Sequence, residues 1–289
     1  MRPDEIEAKI ASFPYWHYEF DLAGHRTPIW GRPHRNRHEQ RASYIFDPLL
    51  RLFGGSLSGK RVLDLGCNAG YWSLRAVQSG CDFVLGIDGR QMHIDQADFV
   101  FRVKGIDRGR YEFVRGDVYA TDLSAKGPFE IVLCLGLLYH VSDPATLIEK
   151  IGELNTELLL IDTSLSRLPG QFLELRRESG ESPIHAVREQ FVTVPTRKAV
   201  IALAESVGYS VATLDPAFSS YEGAPDYLYG GRRAFFCAKD PQLLHAIADQ
   251  AEHLTAPRLV WNAARWRLWM ASAATRRRAR GALRRLIRD

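Results

Sequence analysis

Apolar runs and amphipathic stretches take turns along the middle of the chain. Their alternation predicts strands at 60–65, 82–87, 111–115, 129–136, 157–163, 209–214 and 233–239. Helical periodicity falls between them at 69–79, 90–104, 143–154 and 196–207, with a shorter stretch at 119–124. Thr196 offers an N-cap for the fourth of these helices, and Gly208 stands just past its end. Apolar strands separated by amphipathic helices imply an α/β fold, a Rossmann-like doubly wound sheet of seven strands. The sheet should be mostly parallel with an antiparallel last strand, because a Gly- and Pro-rich loop joins the final two strands as an edge pair. Ahead of it, residues 3–12 and 38–53 read as helices of an N-terminal segment over 1–58. The main domain would run over 59–241, with an insert at 165–195 covering the acceptor site, and a helical basic tail would fill 242–289.

At 46% hydrophobic and 25% charged residues, the 289-residue chain has the composition of a globular protein with a real core. Cys67, Cys81, Cys134 and Cys237 are scattered without a C-x-x-C pair, which predicts reduced thiols and a cytoplasmic setting. The opening "MRPDEIEAKIASF" lacks the apolar core of a signal peptide, and the run "IVLCLGLLY" is too short to span a bilayer. Charge alters the picture more. The net charge is +4, but from Pro257 onward ten arginines face one acid, a local +9 that leaves the first 256 residues five charges negative. A nucleic-acid enzyme usually spreads positive charge over its active face; here it is gathered in the tail.

The densest chemistry lies in "VLDLGCNAGYWSL", a strand, a glycine turn and a helix start. A dinucleotide fingerprint needs glycine where Asn68 stands, because the backbone must approach a pyrophosphate. The G-x-x-x-x-G-K spelling of Gly54 to Lys60 lacks the hydroxyl that would hold magnesium and precedes its strand, so it is no P-loop. A ligand without a pyrophosphate fits better, and S-adenosylmethionine has the required parts. Asp64, Gly66, Cys67, Asn68 and Gly70 would hold its methionine end, with Gly70 letting the helix start close to the ligand. Asp88 and Gly89, closing the second strand, would meet both ribose hydroxyls. Asp117 and Val118, closing the third, would meet the adenine, and Leu135 of the fourth would face the methyl.

In this order and on these strand ends, the motifs of residues 60 to 163 resemble class I S-adenosylmethionine-dependent methyltransferases. A narrower similarity, over residues 13 to 241, is to the tRNA wobble-uridine (5-carboxymethoxyuridine-forming) methyltransferase-like family. It is carried by "YWHYEFDLAGHRTP", "GCNAGYWSL", "LGLLYHVSDP", "VPTRKAVIALAESVGY" and "RRAFFCAKDP". This resemblance implies that Tyr139 and Arg233 occupy positions that recognise an extra carboxylate on a modified cofactor. The lysine and tryptophan that accompany them in such members have no match in "NRHEQRASYIFDPLLR", which favours the ordinary cofactor.

His140, at the end of the fourth strand, is the candidate general base for an oxygen nucleophile, or else a cap on the next helix. Tyr139 contacts the reacting groups or packs in the core. His17 and His25 could belong to a lid over the cofactor, among the aromatics Tyr15, Trp16, Tyr18 and Trp30. His34 and His38 share an H-x-x-x-H spacing, but Pro33 and Arg35 suggest a loop and no further ligand supports a metal. The loop with Tyr221, Tyr227, Tyr229, Arg232 and Arg233 would line the acceptor pocket. In the tail, Trp261, Trp266 and Trp269 precede the arginine block. That segment could meet an anionic membrane surface at the inner face, contact nucleic acid, or pack on the domain with a solvated basic end. Three functions follow: O-methylation of a small-molecule or glycan acceptor, modification of tRNA, or cofactor binding without catalysis.

Overall fold

The computed structural model describes residues 1–29, 31–187, 190–251 and 268. Helix α1 (Pro3–Ser12) buries Ile6 and Ile10. A small ribbon of β1 (Asp21–Leu22) and β2 (His25–Arg26) follows, and then the long helix α2 (Arg32–Leu52). The sheet and its helices come in the order β3 (Arg61–Leu65), α3 (Tyr71–Gln78), β4 (Phe83–Asp88), α4 (Gln91–Val103), β5 (Tyr111–Arg115), β6 (Phe129–Leu135), α5 (Pro144–Leu154) and β7 (Asn155–Ser164). A hairpin of β8 (Leu173–Glu178) and β9 (Gln190–Pro195) intervenes before α6 (Arg197–Ser206), β10 (Ser210–Thr213), α7 (Pro225–Leu228) and β11 (Arg232–Ala238).

The seven-stranded sheet has the spatial order β10-β11-β7-β6-β3-β4-β5. Strand β11 is antiparallel to β7 and β10, and the remaining pairs are parallel. Its strands are apolar on both faces because helices cover both. Alternation along each strand therefore feeds two cores. Val62, Leu133 and Phe236 face Trp72 of α3, Phe99 of α4 and Leu49 of α2. Leu63, Val132 and Phe235 face Ile148 of α5 and Val200 of α6. The chain runs outward through β3, β4 and β5, then returns to β6, so the order reverses between β3 and β6. That reversal opens a crevice at the strands' carboxyl ends, where α/β sheets take their ligands.

Two expectations are corrected. Helix α2 starts at Arg32, six residues earlier than the pattern suggested, so Pro33, His34 and Arg35 are helical. Proline is tolerated in the first turn, where its missing N–H has no intrahelical partner. Residues 119–124 form no α-helix, because Asp117 and Asp122 accept from the backbone N–H groups of Tyr119 (2.8 Å) and Ser124 (2.9 Å), making local turns that compete with helix. The 165–195 insert contains the β8–β9 hairpin. Residues Pro241–Gln250 pack back on α2, with Ile247 buried and Arg51 bonded to Asp249. The tryptophans and arginine block of the tail lie outside the described residues, except that Leu268 is helical and exposed. Among the described residues no helix is long and apolar enough to cross a membrane.

Candidate active site

The carboxyl ends of β3, β4, β5 and β6 border a cleft of about 1060 Å³. The β3–α3 turn enters it through two left-handed residues, Gly66 (φ +70°) and Asn68 (φ +50°). Asparagine is among the few side chains that adopt this conformation without much strain. Here its own Oδ1 accepts from Ala69 N at 2.8 Å. The backbone N–H of Asn68 donates to Asp88 Oδ2 at 3.1 Å, tying the ends of β3 and β4 together.

Asp88 also accepts from Arg90 N (2.9 Å) and lies 3.1 Å from His93 Nδ1. Three of roughly four lone-pair sites on this carboxylate are thus taken, leaving one for a further donor. Next to it the cleft presents Asp117 with the apolar faces of Val118, Leu135 and Leu137. Acceptor-only carboxylates beside an apolar slot, over a backbone turn with no Cβ at Gly66, suit a nucleoside, so the residues fit S-adenosylmethionine.

Tyr139 and His140 line the cleft just past β6. His140 Nδ1 lies 2.7 Å from Glu178 Oε2, which also accepts from Ala186 N. Burial opposes the charged imidazole, but Tyr139 and Glu178 outweigh it and His140 stands above its ordinary value. The Tyr139 hydroxyl accepts from Arg232 Nη1 at 3.1 Å. Burial would push this phenol up, yet Arg232 and His140 bring it down to about 7.

Arg232 belongs to a buried network. Asp162, at the end of β7, receives Arg41 Nη2 (2.5 Å), Arg232 Nε (3.1 Å) and the Tyr227 hydroxyl (2.8 Å). Burial acts to raise Asp162, but Arg232 and Arg41 hold it below the usual carboxylate range. Two guanidinium groups against one carboxylate leave a positive excess at this end of the cleft. Arg37 adds none, since it forms a bidentate pair with Asp226 (2.6 and 2.7 Å).

Gly66, Asn68, Asp88 and Gly89 line the cleft, as do Asp117, Val118, Leu135, Tyr139 and His140. Four candidates do not. Asp64 points beneath α3, where Ser73 Oγ donates to it at 2.6 Å. Cys67 is fully buried against Gly86, and burial pushes its thiol well up. Gly70 is a packing glycine: a Cβ there would meet Ala97 Cβ at 3.1 Å and Phe113 at 3.2 Å, and φ is +76°. Arg233 shares the parity of Phe235 on β11 and donates to the Tyr227 and Arg232 carbonyls, while its neighbour Arg232 lines the cleft. In the acceptor loop Arg232 reaches the cleft, whereas Tyr221, Tyr227 and Tyr229 do not line it. Of the two lid histidines, His17 lines the cleft and His25 does not.

Sequence reasoning missed Arg37 and Arg41. Their i, i+4 spacing on α2 was visible, but only the fold brings that helix to the end of β7. It also missed Glu178 and the role of Arg90. The Arg90 guanidinium donates to the carbonyls of Gly180, Ser182, His185 and Ala186, clamping the insert loop over the cleft. Among the described residues, no group of three or more His, Cys, Asp or Glu could hold a metal ion.

A family model described as a methyltransferase domain matches residues 37–214. The chain is similar to the tRNA U34 carboxymethyltransferase of Proteus mirabilis, 34% identical over 113 residues, covering 37% of this chain and 34% of that one. It is also similar to the ubiquinone biosynthesis O-methyltransferase of Neisseria meningitidis, 29% identical over 122 residues, covering 41% and 50%. The matches thus span between a third and a half of these relatives' length. Among solved structures, the N-terminal domain of EvdMO1, crystallised in the presence of SAH and D-fucose, superposes with a TM-score of 0.61. That superposition is at 23% identity over 82% of this chain and 96% of that one, and is a likeness of fold.

Proposed function

Since the chain belongs to the methyltransferase-domain family, whose class uses S-adenosylmethionine, we propose that it methylates a hydroxyl of a small polar metabolite or glycan. The observation that carries this reading is the 2.7 Å contact between His140 Nδ1 and Glu178 Oε2. It engages one ring nitrogen and leaves Nε2 to take a proton at the transfer end of the cleft. The bound cofactor supplies an electrophilic methyl group on a positively charged sulfur. The chain's own part is to place the acceptor oxygen in line, keep water out and receive the hydroxyl proton. His140 Nε2 receives it as the oxygen attacks, and the Glu178 carboxylate stabilises the resulting imidazolium. Arg232 and Tyr139, whose ring lies 4.0 Å from that of His140, hold the acceptor beside the base.

Cytoplasmic action on a soluble acceptor is part of this reading. The test is transfer of labelled methyl to a panel of hydroxylated acceptors by the wild type and His140→Gln. We expect a loss of about 10²–10⁴-fold in turnover with cofactor affinity retained. Turnover within threefold of wild type would remove His140 from the mechanism.

A second reading is transfer to the wobble uridine of tRNA, with an ordinary or carboxylated cofactor. The positive excess of Arg41 and Arg232 over Asp162, beside Tyr139, favours it, because that end of the cleft suits an anion. The similarity to a tRNA U34 carboxymethyltransferase supports the same reading. Mass spectrometry of the co-purifying cofactor, with labelled transfer to bulk tRNA, separates the two. An unmodified cofactor and unlabelled tRNA would exclude it.

A further inference from the structure

The strands of the β8–β9 hairpin are fastened to the body of the protein, but its tip is not built into a core. Thr193 N donates to the Val141 carbonyl at 2.8 Å, and Ser166 N donates to that of Pro195 at 2.8 Å. Among the described residues 179–187, Ala186 alone is buried. Polar bonds hold this stretch over the cleft from two sides. Arg90 Nη1 donates to the His185 carbonyl at 2.9 Å, and Nη2 to those of Gly180 (3.3 Å), Ser182 (3.0 Å) and Ala186 (3.0 Å). From the other side, Ala186 N donates to Glu178 Oε2 at 3.0 Å, the oxygen that lies 2.7 Å from His140 Nδ1. The backbone of Arg90 is itself fixed, its N–H on Asp88 Oδ1 (2.9 Å) and its carbonyl under His93 N (3.1 Å). Gly89 makes room for the tip, since a Cβ there would stand 2.6 Å from Val187 Cγ2. Residues 183–187 thereby wall the Asp88 end of the cleft.

We infer that Arg90 is a positioning residue: it latches residues 180–187 as a lid over the cofactor and, through Ala186 and Glu178, ties closure of that lid to the seating of His140. The path from Asp88 through Arg90, Ala186 and Glu178 to His140 is continuous. Its four hydrogen-bonded steps measure 2.9, 3.0, 3.0 and 2.7 Å. A stretch with one buried side chain opens at far lower free energy than the sheet beneath it, so passage of a ligand needs no wider unfolding. Most of the cost of opening lies in the charge-assisted bonds of Arg90, because four carbonyls share that one partner. With the tip down, Ala186 N–H and His140 both hold the Glu178 carboxylate, and the imidazole keeps its orientation. With the tip raised, Glu178 loses the first of these and His140 loses its fixed partner. The base is then complete only under a closed lid, when water is kept from the methyl group. The tie to His140 rests on its reading as the base; the latch rests on the fit of the cleft to S-adenosylmethionine.

The experiment follows S-adenosylhomocysteine entering and leaving the full chain by stopped flow, with hydrogen–deuterium exchange read over residues 180–187. A lid slows both directions, whereas an ordinary cofactor contact slows release alone. Arg90→Ala should therefore raise the association rate as well as the dissociation rate, the latter by about tenfold or more. Exchange at 180–187 should rise by a similar factor while β3 and β4 keep their protection. Arg90→Lys retains a cationic donor for fewer carbonyls and should stay within about threefold of wild type. Glu178→Ala, which frees the tip from its other side, should speed release about threefold, and adding it to Arg90→Ala should speed release no further. Unchanged rates and exchange in Arg90→Ala overturn the proposal. Faster release with unchanged association and exchange also overturns it, and makes Arg90 a cofactor contact. Additive effects of the two variants would break the tie between the lid and Glu178. If S-adenosylhomocysteine does not bind the wild type, the cofactor reading falls and the latch with it. Turnover enters none of these readouts, so an assay that removed His140 from the mechanism would overturn the tie and leave the latch standing.

Discussion

Arg232 Nη1 lies 3.1 Å from the Tyr139 hydroxyl, and its guanidinium carbon sits 5.1 Å from the centre of that ring. Fully buried tyrosines elsewhere in the protein, such as Tyr227 and Tyr44, are pushed up by desolvation. Tyr139 goes the other way because the positive excess of the Asp162 network reaches it through Arg232.

Tyr139 should therefore titrate near neutrality. Ultraviolet difference spectroscopy of the folded protein should show one tyrosine ionising at about pH 7. Tyr139→Phe should abolish that step, and Arg232→Met should move it to higher pH by removing the principal opposing charge. A wild type with no phenolate signal below pH 9 would contradict the geometry.

The same reasoning gives a direction for Glu178. Its carboxylate helps to hold His140 above the ordinary imidazole value, so the neutral base is depleted at lower pH. Glu178→Gln removes that charge. The acid limb of the turnover profile should move to lower pH while its plateau falls about 10-fold or more, since the ring loses its orienting partner. An unmoved limb would mean that another group, Tyr139 foremost, sets the profile.

How much of this could be read from the chain alone depended on whether one strand or two elements fixed it. The turn at Gly66 and Asn68 was legible because its conformational demand is local, and so were Asp88 and Asp117, which close consecutive parallel strands. Gly70 and Cys67 belong to the same motif, yet their roles are set by Phe113 on β5 and Gly86 on β4, which pack from other elements. Arg232 against Arg233 is a question of strand parity, which the resemblance that singled out Arg233 does not fix. Arg41 was out of reach, because it pairs with Asp162 across 121 positions of sequence and only the topology brings α2 to the end of β7.

The Arg41–Asp162–Arg232 network should be costly to break from one side. Asp162→Ala strands two buried guanidinium groups and is expected to destabilise the fold by about 3–5 kcal/mol in urea unfolding. Adding Arg41→Met to that variant removes one stranded charge, so the double variant should recover part of the loss rather than add to it. Additive losses would show that the two side chains are not coupled.

Asp64 makes a prediction of opposite sign from a typical acidic side chain. Burial beneath α3 pushes its carboxyl up from 3.8 to about 7; the Ser73 bonds oppose this, and Asp88 adds to it. The folded protein therefore holds a proton that the unfolded chain releases above about pH 4. Stability from this group is complete below that point and is lost as pH rises to about 7, a change on the order of 4 kcal/mol. Asp64→Asn keeps a neutral side chain of the same shape at every pH. Urea unfolding at intervals from pH 4.5 to 7.5 should show wild-type stability falling relative to the variant across that window. Parallel curves would mean that Asp64 is ionised in the folded state, with a partner charge drawing it back to its ordinary range.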